Sequence, residues 1–237
     1  MRLQYSNFNP IKHYLVQAQP GQRVFFCGDV HGDKKALDHE LSKVNFAEGK
    51  DILILAGDII DRGDFSAELV EFVCKTNHVY SVIGNHEQMF LHGLEDELAR
   101  MMHVQPNNGG SWTEQYDEEQ LQALGKMILE NMPVAITVEF EGMRIGVTHA
   151  CAPDNWHEVY DADSDLQDEI MWARIQFKMA KTGKDHVCKG IDAVVHGHVT
   201  DFKTVSGNHI WIDTLFHTGS LTLLSAKEVL DSVISGK

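Results

Sequence analysis

In Arg23-Val24-Phe25-Phe26-Cys27-Gly28-Asp29-Val30-His31-Gly32 a short apolar run breaks off into a loop of glycine, aspartate and histidine. Residues 23–27 have the aromatic and β-branched character of a strand, and a helical pattern follows to about Val44. The plan of strand, polar loop and helix then recurs twice. Residues 52–55 lead into Gly57-Asp58-Ile59-Ile60-Asp61-Arg62-Gly63, with helical spacing over 66–74. Residues 79–83 run through Gly84-Asn85-His86-Glu87 into a helix beginning near Gln88. Three such units in succession predict an α/β protein with a largely parallel central sheet and its polar loops gathered at one end.

Outward from this core the pattern loosens. A Gly-rich turn at 107–110 and a helical stretch over 118–131, ending before Pro133, read as an insertion over the site. From Val134 the character is β, with strands at 134–140 and 143–148 separated by Glu141-Gly142, the second ending at His149. One helix is predicted over 167–180, and the run 193–195 ends at His196-Gly197-His198. Gly207-Asn208 marks a hairpin before 210–212.

No shift in composition divides residues 1–237, so a single domain is expected. A hydrophobic fraction of 43% with 23% charged residues can bury a sizeable core. The net charge of -15, with no basic run interleaved with aromatics to offset it, argues against nucleic acid as a partner. Four scattered cysteines without a Cys-x-x-Cys pair read as free thiols in a reducing compartment. Residues 1–19 lack a signal-peptide pattern, and no run of ~18 apolar residues exists to cross a membrane. The expectation is a cytoplasmic monomer.

Five predicted strands end in a loop bearing Asp, Asn or His: Asp29 with His31, Asp58, Asn85, His149 and His198. Any one of these alone is an ordinary turn or helix cap. Five in register predict a shared site at the carboxyl ends of the strands. Carboxylate, carboxamide and imidazole without thiolate suit Mn²⁺, Fe or Zn²⁺. Six such groups exceed the needs of one catalytic ion, so two ions ~3.5–4 Å apart fit better, with Asp58 as the natural bridge. Arg62, four residues from Asp58, offers a guanidinium for bidentate contact with a phosphoryl group.

The three glycine-bounded motifs, in this order and at these separations, resemble those of the phosphoprotein phosphatases of the metallophosphoesterase superfamily, and more closely its compact bacterial and phage serine/threonine phosphatases. The similarity extends through Gln88-Met89, Asn108-Gly109-Gly110-Ser111-Trp112, Thr148-His149-Ala150, Trp172-Ala173-Arg174, Gly197-His198 and Ile212-Asp213-Thr214, roughly residues 23–224. It implies a calcineurin-like sandwich of two central β-sheets flanked by helices. It also implies one metal on Asp29, His31 and Asp58, and a second on Asp58, Asn85, His149 and His198, both most readily Mn²⁺. By the same resemblance Arg62 and Arg174 clamp the substrate phosphate, with Asn85 also touching it, and His86, oriented by Asp61, protonates the leaving oxygen. The activity implied is hydrolysis of phosphorylated serine or threonine in proteins, with phosphotyrosine open, by direct attack of a hydroxide shared by the two ions and without a phosphoenzyme.

Two positions depart from the family pattern: Ile83, where an arginine is usual, and Leu215, where a glycine is usual. Ile83 is either core packing or a mark of altered substrate preference. A dinucleoside polyphosphate hydrolase of the same superfamily is the leading rival, and Asp61 speaks for the phosphatase. An inactive binding scaffold is opposed by the intact ligand set. His196 reads as a strand-end histidine rather than a ligand, and His13, His92, His103, His186 and His209 as structural or exposed. A cysteine-based phosphatase is excluded, because no cysteine has an arginine six positions later. Asp161, Asp163 and Asp165 lack the glycine and glutamate of a calcium loop and read as a solvated loop. The four tryptophans read as core or rim residues, with Trp112 and Trp156, in loops, the candidates for an exception at the substrate.

Overall fold

A computed structural model describes residues 8–235. In chain order, β1 (Ile11–Gln17) and β2 (Val24–Cys27) precede α1 (Lys34–Lys43), followed by β3 (Ile52–Leu55), α2 (Ser66–Lys75), β4 (Val79–Ser81) and α3 (Asn85–Gly93). Next come α4 (Glu97–His103), a 3₁₀ turn at Gly110–Gln115, α5 (Glu118–Asn131), β5 (Pro133–Phe140) and β6 (Met143–Thr148). A second 3₁₀ turn (Trp156–Asp161) precedes α6 (Ser164–Trp172) and α7 (Ile175–Lys181). The chain finishes with β7 (Ala193–His196), β8 (Thr204–Ser206), β9 (His209–Trp211), α8 (Leu215–Thr218), β10 (Leu223–Ser225) and α9 (Ala226–Ser235).

Among the described residues the strands form a six-stranded sheet, β1-β5-β6-β7-β9-β8, and a four-stranded sheet, β10-β2-β3-β4. The three predicted units supply the parallel β2, β3 and β4, and β10 adds an antiparallel edge. Strands β2 and β3 are short and wholly apolar because both faces are covered. Val24, Phe26, Ile52 and Ile54 pack against Ile136, Val138, Ile145 and Val147 of the other sheet. Their neighbours Phe25, Cys27, Leu53 and Leu55 pack with Leu37, Leu69 and Ile128 of the flanking helices. On the far face of the larger sheet, Val134 and Val194 meet Trp156, Val159 and Ile170. This is the α/β sandwich of two sheets flanked by helices that the motifs imply.

Several local expectations change. The single helix over 167–180 is two, α6 and α7, because Ala173 turns extended while its N–H closes onto Glu169 O. The break places Arg174 at the start of α7. Neither glycine nor proline marks it, so periodicity alone misses it. The 107–131 segment is only partly a cover for the site. Gly109 O accepts the Arg62 N–H at 3.0 Å, whereas α5 packs along α2 and puts Leu124 and Ile128 into the core. Ile83 is fully buried in the core cluster, as its packing reading expects. Leu215 is likewise buried.

Candidate functional site

The strand ends of both sheets bring the predicted side chains together. Asp29 and His31 follow β2, Asp58 follows β3, Asn85 and His86 open α3 after β4, His149 follows β6 and His198 follows β7. All seven are buried. His31, Asp58, Asp61, Arg62 and His198 adopt left-handed backbone conformations, with φ between 47° and 73°. Such conformations cost of order 1–3 kcal/mol each in non-glycine residues, so the surrounding contacts must impose them. Glu87 supplies such contacts to the Asp58 loop. Its buried carboxylate accepts the backbone N–H groups of Asp58 and Gly84 on one oxygen, at 2.9 and 2.8 Å, and those of Ile59 and Ile60 on the other, at 2.9 and 3.3 Å. It thereby ties the Asp58 loop to the first turn of α3. The motif alone gives Glu87 no evident role.

Asp58 lies at the centre of the cluster. Its Oδ2 is 3.2 Å from His149 Nε2, 3.8 Å from His86 Nε2 and 3.9 Å from His31 Nε2. Asn85 Oδ1 stands 3.0 Å from His149 Nε2 and 2.7 Å from His198 Nδ1. Asp29 Oδ2 is 3.9 Å from His31 Nε2, and the Asp29 carboxylate accepts the His198 backbone N–H. Glycine is required at 197, since a Cβ there would overlap Asp29 Oδ1. Carbonyl groups orient the rings: Ile60 O lies 3.1 Å from His31 Nδ1, Ala56 O 2.7 Å from His149 Nδ1, and Trp172 O 3.1 Å from His198 Nε2. With those nitrogens protonated as donors, the opposite nitrogens present lone pairs to the site, the usual outer support of a ligating histidine.

The buried charges favour a cation. Burial first, then Asp213 and Asp58, push the Asp29 carboxyl well above the usual carboxylate range. Asp213 Oδ1 is buried without a hydrogen-bond partner. Burial also pushes His31 and His198 down to about 3, leaving both neutral and able to ligate. Two groupings, His31-Asp58-His86 and Asp58-His149-His198, each bring ligand atoms within 4.8 Å of one another, and they share Asp58. Two divalent ions fit this donor set, because they would neutralise the buried carboxylates and take up the imidazole lone pairs.

Above the cluster opens a cleft of about 300 Å³, lined in part by Arg62, Arg174, His86 and Asp213. Arg62 Nη1 is 2.7 Å from His31 Nε2, and its Nη2 is 3.2 Å from His86 Nε2. Phe216 stands over the same guanidinium, 5.2 Å from Cζ to the ring centre. His86 Nδ1 lies 2.7 Å from Asp61 Oδ2. Burial disfavours a charged His86, but the carboxylates of Asp58 and Asp61 outweigh it and hold its pKa above the ordinary histidine value.

The core reading of the tryptophans holds for Trp112 and Trp156 too, and neither is an exception at the substrate. Trp112 and Trp156 are core residues, 5% and 0% exposed, and the Trp112 Nε1–H donates to Asp61 Oδ1 at 2.7 Å. The tryptophan at the surface is Trp172, whose neighbour but one is Arg174. His103 also belongs to the site's support, with Nε2 2.9 Å from each Asp61 oxygen. Nothing in its local sequence signals this. His196 is buried and hydrogen-bonded to His209, away from the ligand positions. Asp163 caps α6 by accepting the Leu166 N–H.

The calcineurin-like phosphoesterase family profile matches residues 22–202. Serine/threonine-protein phosphatase 2 of Salmonella typhimurium is 31% identical over 221 residues, 92% of this chain and 99% of the relative. The symmetrical bis(5'-nucleosyl)-tetraphosphatase of Buchnera aphidicola is 44% identical over 64 residues, 27% of this chain and 23% of the relative. A solved structure provisionally named a diadenosine tetraphosphatase superposes with a TM-score of 0.61 at 20% identity, covering 90% of this chain and 93% of that one. With the shared-carboxylate cluster at its strand ends, this chain belongs to the calcineurin-like phosphoesterases and is a metal-dependent hydrolase with a binuclear metal site.

Proposed function

We propose that this chain is a protein serine/threonine phosphatase, a phosphomonoesterase in which Asp29, His31 and Asp58 hold one ion and Asp58, Asn85, His149 and His198 the other, most readily Mn²⁺. Bound there, the ions supply Lewis acidity and an activated water. Arg62 and Arg174 draw the phosphoryl oxygens into the cleft, where Asn85 also reaches them. Charge gathering on those oxygens is matched by two guanidinium groups that never lose their proton. His86 hands a proton to the departing oxygen from Nε2, while Asp61 accepts from Nδ1 and steadies the imidazolium.

The Asp61–His86 contact of 2.7 Å beside Arg62 carries this reading. A serine or threonine alkoxide is strongly basic and needs that proton to leave. The polyphosphate leaving group of a dinucleotide is a weak base and needs it far less. The near full-length similarity to a serine/threonine-protein phosphatase supports the same reading.

A second reading, hydrolysis of dinucleoside polyphosphates, is favoured by local identity, since the 44% over 64 residues exceeds the 31% of the longer match. Metal-free protein reloaded with Mn²⁺ and offered phosphoserine, phosphothreonine and phosphotyrosine peptides beside diadenosine tetraphosphate separates the two. Dominant turnover of the peptides is expected, whereas dominant turnover of the dinucleotide would replace the first reading with the second. Loss of both bound metal and turnover in Asp58→Asn is expected under either, and undiminished activity there would sink both.

A further inference from the structure

Asp61 holds more than His86. Its carboxylate lies between two imidazoles and an indole: His86 Nδ1 at 2.7 Å on Oδ2, Trp112 Nε1 at 2.7 Å on Oδ1, and His103 Nε2 at 2.9 Å from both oxygens. Its backbone N–H donates to Ser66 Oγ at 2.9 Å. Asp61 is fully buried and His103 is 1% exposed. Bonding to both oxygens fixes the plane of the carboxylate, which one donor could not do, since a carboxylate turns freely about its Cβ–Cγ bond.

His103 is itself tightly bedded. A Cβ at Gly110 would lie 2.5–2.6 Å from three of its ring atoms, so the glycine makes room for the imidazole. Phe90 packs against both His103 and Trp112, with ring centres 5.9 and 5.4 Å away. His103 comes from α4 and Trp112 from the 3₁₀ turn that follows it, so the 97–115 segment reaches the site at this carboxylate as well as at Arg62, whose N–H Gly109 O accepts.

We propose that His103, seconded by Trp112, is a positioning residue for acid catalysis: it locks the Asp61 carboxylate so that His86 keeps its Nδ1–H on Asp61 and directs Nε2 at the leaving oxygen. His103 touches neither the substrate cleft nor the metal-ligand positions. Its removal therefore acts through His86 alone and scales with how much the leaving group needs a proton. This inference rests on the assignment of His86 as the acid.

The test compares a phosphoserine peptide, with its basic leaving group, and p-nitrophenyl phosphate, with its weakly basic one, in Mn²⁺-loaded enzyme. His103→Asn is expected to lower kcat for the peptide ~10-fold more than for the aryl ester, the low end of what loss of an outer-shell partner costs, with KM for both substrates unchanged. Trp112→Phe keeps the ring packing and removes only the Nε1–H, so a smaller selective loss is expected. His86→Asn run alongside should show the same selectivity more strongly. Parallel losses on the two substrates, or none, in both His103→Asn and Trp112→Phe while His86→Asn is selective would overturn the role of His103 alone. An unselective His86→Asn would overturn the acid assignment and this inference with it.

Discussion

Replacing Glu87 with glutamine removes one charge from the molecule and should disturb two loops at once. The carboxylate accepts four backbone N–H groups, from Asp58, Ile59, Ile60 and Gly84, with no exposed surface. A glutamine can offer its carbonyl to one pair. Its amide nitrogen must then face the other pair, donor against donor, and two buried N–H groups lose their acceptor. At about 1–3 kcal/mol for each unsatisfied buried group, the cost is roughly 2–6 kcal/mol. One effect works the other way: burial, then the neighbouring Asp58 charge, push Glu87 up to about 7, so a neutral side chain relieves repulsion that the native carboxylate suffers. The lower half of the range is therefore expected. The displaced N–H groups belong to the loops that carry Asp58 and Asn85, and metal affinity should fall ~10–100-fold, as for other outer-shell losses. Urea unfolding of the metal-free protein measures the first quantity and calorimetric Mn²⁺ titration the second. Stability within about 0.5 kcal/mol of wild type, the usual spread for a surface substitution, together with unchanged metal affinity, would refute the clamp.

Further outcomes follow from the same geometry. Gly197→Ala places a methyl group against Asp29 Oδ1 and should abolish tight binding at one of the two ion positions, read as metal stoichiometry by elemental analysis. Arg62→Lys keeps the charge but loses the planar fork, so it should raise KM for phosphopeptides ~10-fold rather than restore wild-type values, as steady-state kinetics would reveal. In the metal-free protein, burial holds His31, His198 and His209 down to about 3, against an ordinary value near 6.5. The unfolded chain takes up these protons first on acidification, so stability present above about pH 6.5 should be lost progressively as pH falls from there toward 3. A thermal midpoint that stays level between pH 7 and pH 5 would contradict this.

The strand-loop-helix units at Asp29, Asp58 and Asn85 were legible in the sequence because strand ends, glycines and helix starts are local features. Short apolar runs announced strands, and the polar residues following them had no local reason to recur in register. What periodicity could not supply was anything set by partners distant in the chain. Strand β1 goes unannounced because its pairing with β5 joins residues more than a hundred positions apart. The break at Ala173 and Arg174 lies beside long-range contacts such as His198 Nε2 with Trp172 O, which no local pattern encodes. His103 reads as any surface-helix histidine until α4 folds back onto Asp61.

The candidate ligand residues were thus legible in the sequence alone, since their chemistry and their places after strands are written side by side. Tertiary structure decided how they are supported: Glu87 holding four amides, and His103 and Trp112 on Asp61. The physical reason is burial. A polar group taken out of water must find its partners inside the protein, and those partners are chosen by proximity in space rather than along the chain.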